Sequence, residues 1–241
     1  MEAATDSGQD RLSFKLIAPR WHFVAVLLAV LAFSALAALG PQLQKMNPSA
    51  QPQSLVAGYT FGLVMEWLIV ALVWFGIRRR NVSLRDVIGG RWSNWRAVLR
   101  DVGIAALFIL VSNVVSAILV RILRLDPGTA VRGLLPHGGA EVAIYLLLAL
   151  TAGFCEEIIF RGYLQKQFTA ILGNPAAAIV LQGILFAFFH GNQGWKFMVI
   201  IVTYGWFLGA LAYWRRSLRP GMIAHFAQDG LVGLLAPYLF K

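Results

Sequence analysis

Two adjacent glutamates, Glu156 and Glu157, lie at the end of a long apolar run, in the stretch Cys155-Glu156-Glu157-Ile158-Ile159-Phe160-Arg161-Gly162. Ionisable groups at membrane depth are costly to bury, so they face a cavity or a partner. Residues four apart share a helix face, so Arg161 can pair with Glu157. Glu156 is offset by about 100° and has no such partner on its own helix. A carboxylate left unpaired in a low-dielectric site is suited to take a proton near neutral pH. This arrangement makes Glu156 a general base and Glu157 with Arg161 its scaffold. The competing reading puts both glutamates in a structural ion network.

Two later apolar helices carry one histidine each. In Phe186-Ala187-Phe188-Phe189-His190 the ring of Phe186 shares a face with His190 and can pack against it. In His225-Phe226-Ala227-Gln228-Asp229 the histidine shares a face with an aspartate, which can accept its Nδ1–H and fix the tautomer. The zinc-protease pattern H-E-x-x-H is absent. Glu156, His190, His225 and Asp229 could still hold a metal, so none or one zinc ion is expected. Cys155, the sole cysteine, permits no intrachain disulfide and sits in an apolar run, where a structural role is expected.

The elements that must position these residues are read from composition. The chain of 241 residues is 59% hydrophobic and 13% charged, against roughly 45–50% apolar in soluble domains. Several apolar runs of about 20 residues mark a polytopic membrane protein. The formal charge of +10 falls between those runs. It therefore reads as topology and lipid-headgroup contact, with the bilayer as partner and no nucleic acid.

In chain order, residues 1–20 read as a polar cytosolic tail, disordered or with a short interfacial helix near Leu12–Ile17. Residues 21–241 form the membrane domain. The fold expected is an all-α membrane bundle of about seven, within six to eight, transmembrane helices. Trp21–Gly40 is the first span, too long an apolar run for a signal peptide. Residues 41–53, with three prolines, read as a loop. Leu55–Ile77 is the second span, with Gly58 and Gly62 suited to close helix contact. Its Glu66 either lines the cavity or bonds a neighbouring helix, and the second reading is favoured. Residues 81–101, with Trp92 and Trp95, suggest an interfacial segment. Val102–Val120 is the third span, where Asn113 reads as interhelical glue. Residues 121–141 form a loop, and His137 within it is not expected to be a ligand.

The fourth helix starts near Val142 and carries the glutamates. Pro175 suits the first turn of the next helix, so Ala176–His190 is the fifth. Trp195–Trp214 is the sixth, with Gly205 and Gly209 as a close-contact pair, and Pro220–Phe240 the seventh. With the amino terminus cytoplasmic, the inner segments hold three Lys and Arg before the first span, seven after the second, two after the glutamates and three before the last helix, fifteen of 21. The bias supports a multi-pass cell-membrane protein with its amino terminus inside.

The motifs E-E-x-x-x-R (Glu156, Glu157, Arg161), F-x-x-x-H (Phe186, His190) and H-x-x-x-(N/D) (His225, Asp229), in this order on three apolar helices, resemble the CAAX-protease and bacteriocin-processing family of intramembrane endopeptidases. The resemblance covers about residues 142–235. It implies an all-helical membrane fold and hydrolysis of a peptide bond in a membrane-associated or prenylated substrate. It also implies catalytic roles for Glu156, His190, His225 and Asp229, supported by Glu157, Arg161 and Phe186. The family has been called a metalloprotease, and a metal-free glutamate mechanism is also proposed for it. The family pattern often has asparagine where this chain has Asp229. The expectation here is that Asp229 holds His225 by its Nδ1–H. Two other classes compete: a proton-coupled transporter relaying through Glu66, Glu156 and the histidines, and a non-catalytic scaffold or immunity protein. No inverted repeat is visible, which weighs against the transporter.

Depth sets a geometric condition. If the fifth helix starts near Asn174, His190 lies roughly 24 Å along it, whereas Glu156 counted back from Gln167 lies only about 16 Å deep. His225 lies about 9 Å from Arg219 by the same rise. The sequence therefore predicts that the fourth helix ends inside the protein, with residues 162–173 folding back or tilting.

Overall fold

The computed structural model describes residues 15–46, 54–126, 128 and 132–239, and in it the chain is helical with no strand among the described residues. The elements are α1 (Arg20–Met46), α2 (Leu55–Arg78), α3 (Leu84–Ile88), α4 (Trp95–Ile122), α5 (Gly139–Leu172), α6 (Pro175–Phe189), α7 (Trp195–Arg215) and α8 (Arg219–Leu239). By length and composition α1, α2, α4, α5 and α7 can cross a membrane, and α6 is a shorter apolar helix. The result is a polytopic helical bundle. Part of the expected interfacial helix near Leu12–Ile17 and most of the expected loop at 41–53 lie outside the described residues. The loop does not begin at 41, because α1 runs on to Met46.

The central element is α5. It is α-helical from Gly139 to Glu156, π-helical over Glu157–Leu164 and α-helical again over Gln165–Leu172. Short π segments inside α-helices are frequent at functional sites. The two glutamates straddle the α-to-π junction. The predicted fold-back of residues 162–173 does not occur, because the helix continues to Leu172. Glu156 thus lies 16 residues from the end of α5, about 24 Å, and His190 lies 15 residues after Pro175, about 22 Å. The mismatch came from ending the fourth helix five residues early. Asn174 caps α6 by accepting from the Ala177 N–H, and Gly173 adopts the left-handed conformation (φ 63°) that reverses the chain.

The depth of His225 is met differently. α8 starts beside the π segment: a Cβ on Gly162 would lie 3.0 Å from Leu218 Cδ1 and 2.5 Å from Val87 Cγ1. The backbone there is paired, with the Leu218 N–H donating to Ile88 O (2.9 Å) and the Arg219 side chain donating through Nη2 to Gly89 O (3.1 Å). Such irregular chain inside a bundle must be satisfied by protein. Around it, Asp101 gathers Arg100 (3.4 Å), Arg215 (3.3 Å) and Arg219 (3.9 Å), and accepts from Trp92 Nε1 (2.8 Å). The segment expected to lie at the interface thus contributes Trp92 to the ion cluster around buried Asp101 and Trp95 to the start of α4. The Ser83–Asp86 capping box fixes α3, and hydrogen bonds from the Ser83 hydroxyl and amide hold the Asp86 carboxyl below its ordinary range.

From Leu218 the two helices run antiparallel. A Cβ on Gly221 would meet Glu157 Oε2 (3.0 Å), one on Gly153 would meet Phe226 N (2.8 Å), and one on Gly233 would strike the ring of Tyr145. Association within a bilayer rests on van der Waals packing and hydrogen bonds, so these contacts hold α8 to α5. Gly205 and Gly209 behave as expected: a Cβ on Gly205 would meet Gly183 Cα at 3.1 Å, and one on Gly209 would meet Gln182 Nε2 at 2.5 Å. The expected Gly58–Gly62 pair does not. A Cβ on Gly58 meets nothing within 4 Å, and the close approach on α2 is at Gly76, against the ring of His22. Buried His22 bonds Tyr163 Oη (2.7 Å) and Leu72 O (2.8 Å), and so ties α1 and α2 to the π segment. Gln167 adds a second tie by accepting from the Ile17 N–H (2.9 Å) and donating to Ala18 O (3.1 Å). Asn113 is interhelical glue as expected, exchanging amide hydrogen bonds with Gln228 of α8 (2.8 and 3.3 Å).

Gly153 and Gly58 look alike in the sequence but differ in what surrounds them. Gly153→Val should cost about 1–3 kcal/mol, as overpacking against backbone does, and lower the thermal midpoint in detergent. Gly58→Ala should leave that midpoint unchanged or raise it. Equal effects from the two substitutions would mean that the α5–α8 contact is not close.

Candidate active site

The π turn of α5, the last turn of α6 and the second turn of α8 meet in the middle of the bundle. Glu157 Oε1 lies 3.0 Å from Arg161 Nη1 and 3.2 Å from His225 Nδ1, with all three side chains buried. The predicted Glu157–Arg161 pair is therefore present. A carboxylate can only accept, so His225 carries its proton on Nδ1 and donates it to Glu157. Arg161 is shared further. Its Nη2 donates to Gly205 O (3.4 Å), and its guanidinium stacks 4.1 Å from the centre of the Phe186 ring. Gln182 donates to the same carbonyl (2.8 Å), so three helices are linked through one buried acceptor.

His190, at the C-terminal end of α6, faces its own preceding turn through Nδ1, 2.9 Å from Phe186 O. The carbonyl only accepts, so Nδ1 is again the donor and Nε2 faces the cavity. Phe186 packs against both imidazoles, with ring centres 4.7 Å from His190 and 5.8 Å from His225. This is the packing read from F-x-x-x-H, extended to the second histidine.

Glu156 stands apart from the pair, as its helical offset implies. Its Oε2 lies 3.8 Å from His190 Nε2 and 3.7 Å from His225 Nε2, and has no hydrogen-bond partner. These separations are too long for direct hydrogen bonds and of a length that one water can bridge. Asp229 Oδ2 is 3.6 Å from His225 Nε2. The expectation that Asp229 holds His225 by Nδ1 is thus corrected. Glu157 occupies that position because α8 packs antiparallel with Gly221 against Glu157, turning the Nδ1 edge of the ring toward α5. The Asp229 backbone carbonyl is held by Tyr145 Oη (3.2 Å). Side-chain exposure defines the opening: Asp229 is 37% and His190 22% exposed, against 4% for Glu156, 0% for Glu157 and 3% for His225.

Glu66, buried on α2, has Glu156 and Asp229 among its charged neighbours, and its Oε2 has no hydrogen-bond partner, so of the two expectations for it the place beside the site is supported and the favoured bond to a neighbouring helix is not seen for that oxygen. Sequence reasoning missed Tyr204 of α7, whose ring meets His225 edge-on at 5.9 Å. No motif surrounds it, and only its depth on an apolar helix could have pointed to it. Cys155 is buried and makes no bond to the site. Zinc would need three or more of Glu156, His190, His225 and Asp229 to converge on one point. Among the described residues no group of three or more His, Cys, Asp or Glu side chains is arranged to hold a metal ion.

Residues 138–231 match a family model described as Type II CAAX prenyl endopeptidase Rce1-like. That is the family the three motifs resemble, and the matched segment contains all of them. No curated protein and no solved structure matches the chain.

A buried ion pair that loses one member leaves an uncompensated charge, at a cost of about 3–5 kcal/mol. Glu157→Gln should therefore destabilise the protein by about that amount, read by denaturant unfolding in bicelles, and adding Arg161→Met should restore part of the loss. Wild-type stability in Glu157→Gln would show that the pair does not hold the site together.

Proposed function

Starting from a chain whose residues 138–231 carry the Rce1-like type II CAAX endopeptidase pattern, we propose that it is an intramembrane endopeptidase hydrolysing a peptide bond of a membrane-associated substrate with a glutamate-activated water. The observation that carries this reading is the unpartnered, buried Glu156 Oε2 between the Nε2 atoms of two histidines on two other helices. A general base must lie within reach of the proton it takes, directly or through one water. A water there can give one proton to Glu156 while His190 Nε2 accepts from its other hydrogen and aims the oxygen. That oxygen bonds the scissile carbonyl carbon. The carbonyl oxygen becomes an oxyanion, and Glu156 then passes its proton to the leaving amine as the C–N bond breaks. His225, held from behind by Glu157, presents Nε2 to the reacting centre from the opposite side, beside Asp229. The substrate enters at the exposed Asp229–His190 side. The bias of Lys and Arg supports a cytoplasmic amino terminus.

Glu156→Gln keeps the shape but cannot take a proton. It should lower kcat by about 10²–10⁴-fold while the protein still inserts and keeps its thermal midpoint. Cleavage of a reporter peptide in liposomes is the measurement, and wild-type turnover in this variant would remove Glu156 as the base.

Asp229 and Glu157 are distinguished by the two edges of one imidazole. Since Glu157 holds Nδ1, Asp229→Asn should leave His225 oriented and keep kcat/KM within about tenfold, or about 1.4 kcal/mol, of wild type. An Asp229→Asn variant as inactive as Glu156→Gln would show that the Asp229 charge is essential to the reaction.

A further inference from the structure

The reaction places negative charge on a carbonyl oxygen, and Asp229, when ionised, has no proton to donate to it. Most polar groups around the site are already engaged. Gln182 serves Gly205 O and Ile179 O, and Tyr145 serves Asp229 O. Arg161 keeps Nε and Nη1 without hydrogen bonds, but its guanidinium is committed to the Glu157 ion pair and to Gly205 O. Among the described residues, the other unpartnered buried donor at the site is a phenol. The Tyr204 hydroxyl is buried and has no hydrogen-bond partner, and its charged neighbours are Asp229, Glu157, Arg161 and Glu156. Its ring meets His225 edge-on at 5.9 Å and Phe108 edge-on at 5.5 Å between centres.

Burying a hydroxyl without a partner is costly, and phenylalanine would fill the same space without that cost. The neighbouring Gly205 lets α7 lie so close to α6 that a Cβ on it would meet Gly183 Cα at 3.1 Å, and this close packing carries Tyr204 to the site. We propose that Tyr204 is a catalytic residue whose O–H donates to the oxyanion formed at the scissile carbonyl. This inference rests on the endopeptidase reading above. In the step, the water oxygen bonds the carbonyl carbon and the carbonyl π pair moves onto oxygen. That oxygen then accepts from Tyr204 Oη, while the water proton goes to Glu156. On collapse the C=O re-forms, the C–N bond breaks and the proton passes to the leaving nitrogen. The phenol neither gains nor loses a proton.

Donors aimed at developing charge act in the transition state, so their removal lowers kcat and spares ground-state binding. Tyr204→Phe keeps the ring contacts with His225 and Phe108. It should lower kcat about 10²-fold with KM nearly unchanged. A peptide carrying a phosphonate in place of the scissile amide should lose affinity by a similar factor, while the cleavable peptide should bind Glu156→Gln and Glu156→Gln/Tyr204→Phe equally well. A Tyr204→Phe kcat within about threefold of wild type, or unchanged affinity of that variant for the phosphonate peptide, overturns the proposal. Glu156→Gln run alongside separates the two readings. If it is inactive while Tyr204→Phe is fully active, only the tyrosine falls. If it is active, the glutamate mechanism falls too.

Discussion

A carboxylate and a guanidinium held 3.0 Å apart inside an apolar bundle, Glu157 with Arg161, are the interaction on which the rest of the structure depends. Neither charge can be buried alone. Once paired at one helical turn, they still have hydrogen-bonding capacity to fill. Glu157 fills its own by accepting from His225 on α8, and Arg161 reaches the Gly205 carbonyl on α7 and the Phe186 ring on α6. Four helices are thus fixed around one ion pair.

Small residues make those reaches possible. Gly153 and Gly221 let α8 lie against α5, and Gly205 and Gly209 let α7 lie against α6 and the π segment. In lipid there is no hydrophobic gain from pushing two apolar helices together, so close van der Waals contact and polar bonds must supply the association. The same closeness sets register. His225 stands opposite Glu157 because Leu218 abuts Gly162, and His190 stands opposite Glu156 because α5 and α6 are of matched length on either side of Gly173.

The site divides into a fixed half and a reactive half. Glu157, Arg161 and the Nδ1 edges of both histidines are engaged, whereas Glu156 Oε2 and both Nε2 atoms face one another without direct bonds. Orientation is thus built into groups that do not themselves change in the proposed reaction, which is how preorganised sites avoid reorganisation cost.

The sequence by itself determined the all-helical membrane fold, the Glu157–Arg161 pair, the packing of Phe186 on His190 and the role of Asn113. Each follows from hydropathy or from the i,i+4 spacing of a single helix, or, for Asn113, from the cost of a polar side chain on an apolar helix. The composition of the site was legible for the same reason, since charged and imidazole side chains on apolar helices must converge or stay unsatisfied. What only the tertiary structure decided is everything set between helices. That includes which edge of His225 meets Glu157 and which meets Asp229, the unbroken helical course of α5 through its π segment to Leu172 where a fold-back was expected, the contact at Gly76 in place of Gly58, and the arrival of Glu66 and Tyr204 beside the glutamates. These depend on the register and rotation of one helix against another. That register is fixed by close contacts between residues far apart in the chain, and no local pattern of side chains encodes it.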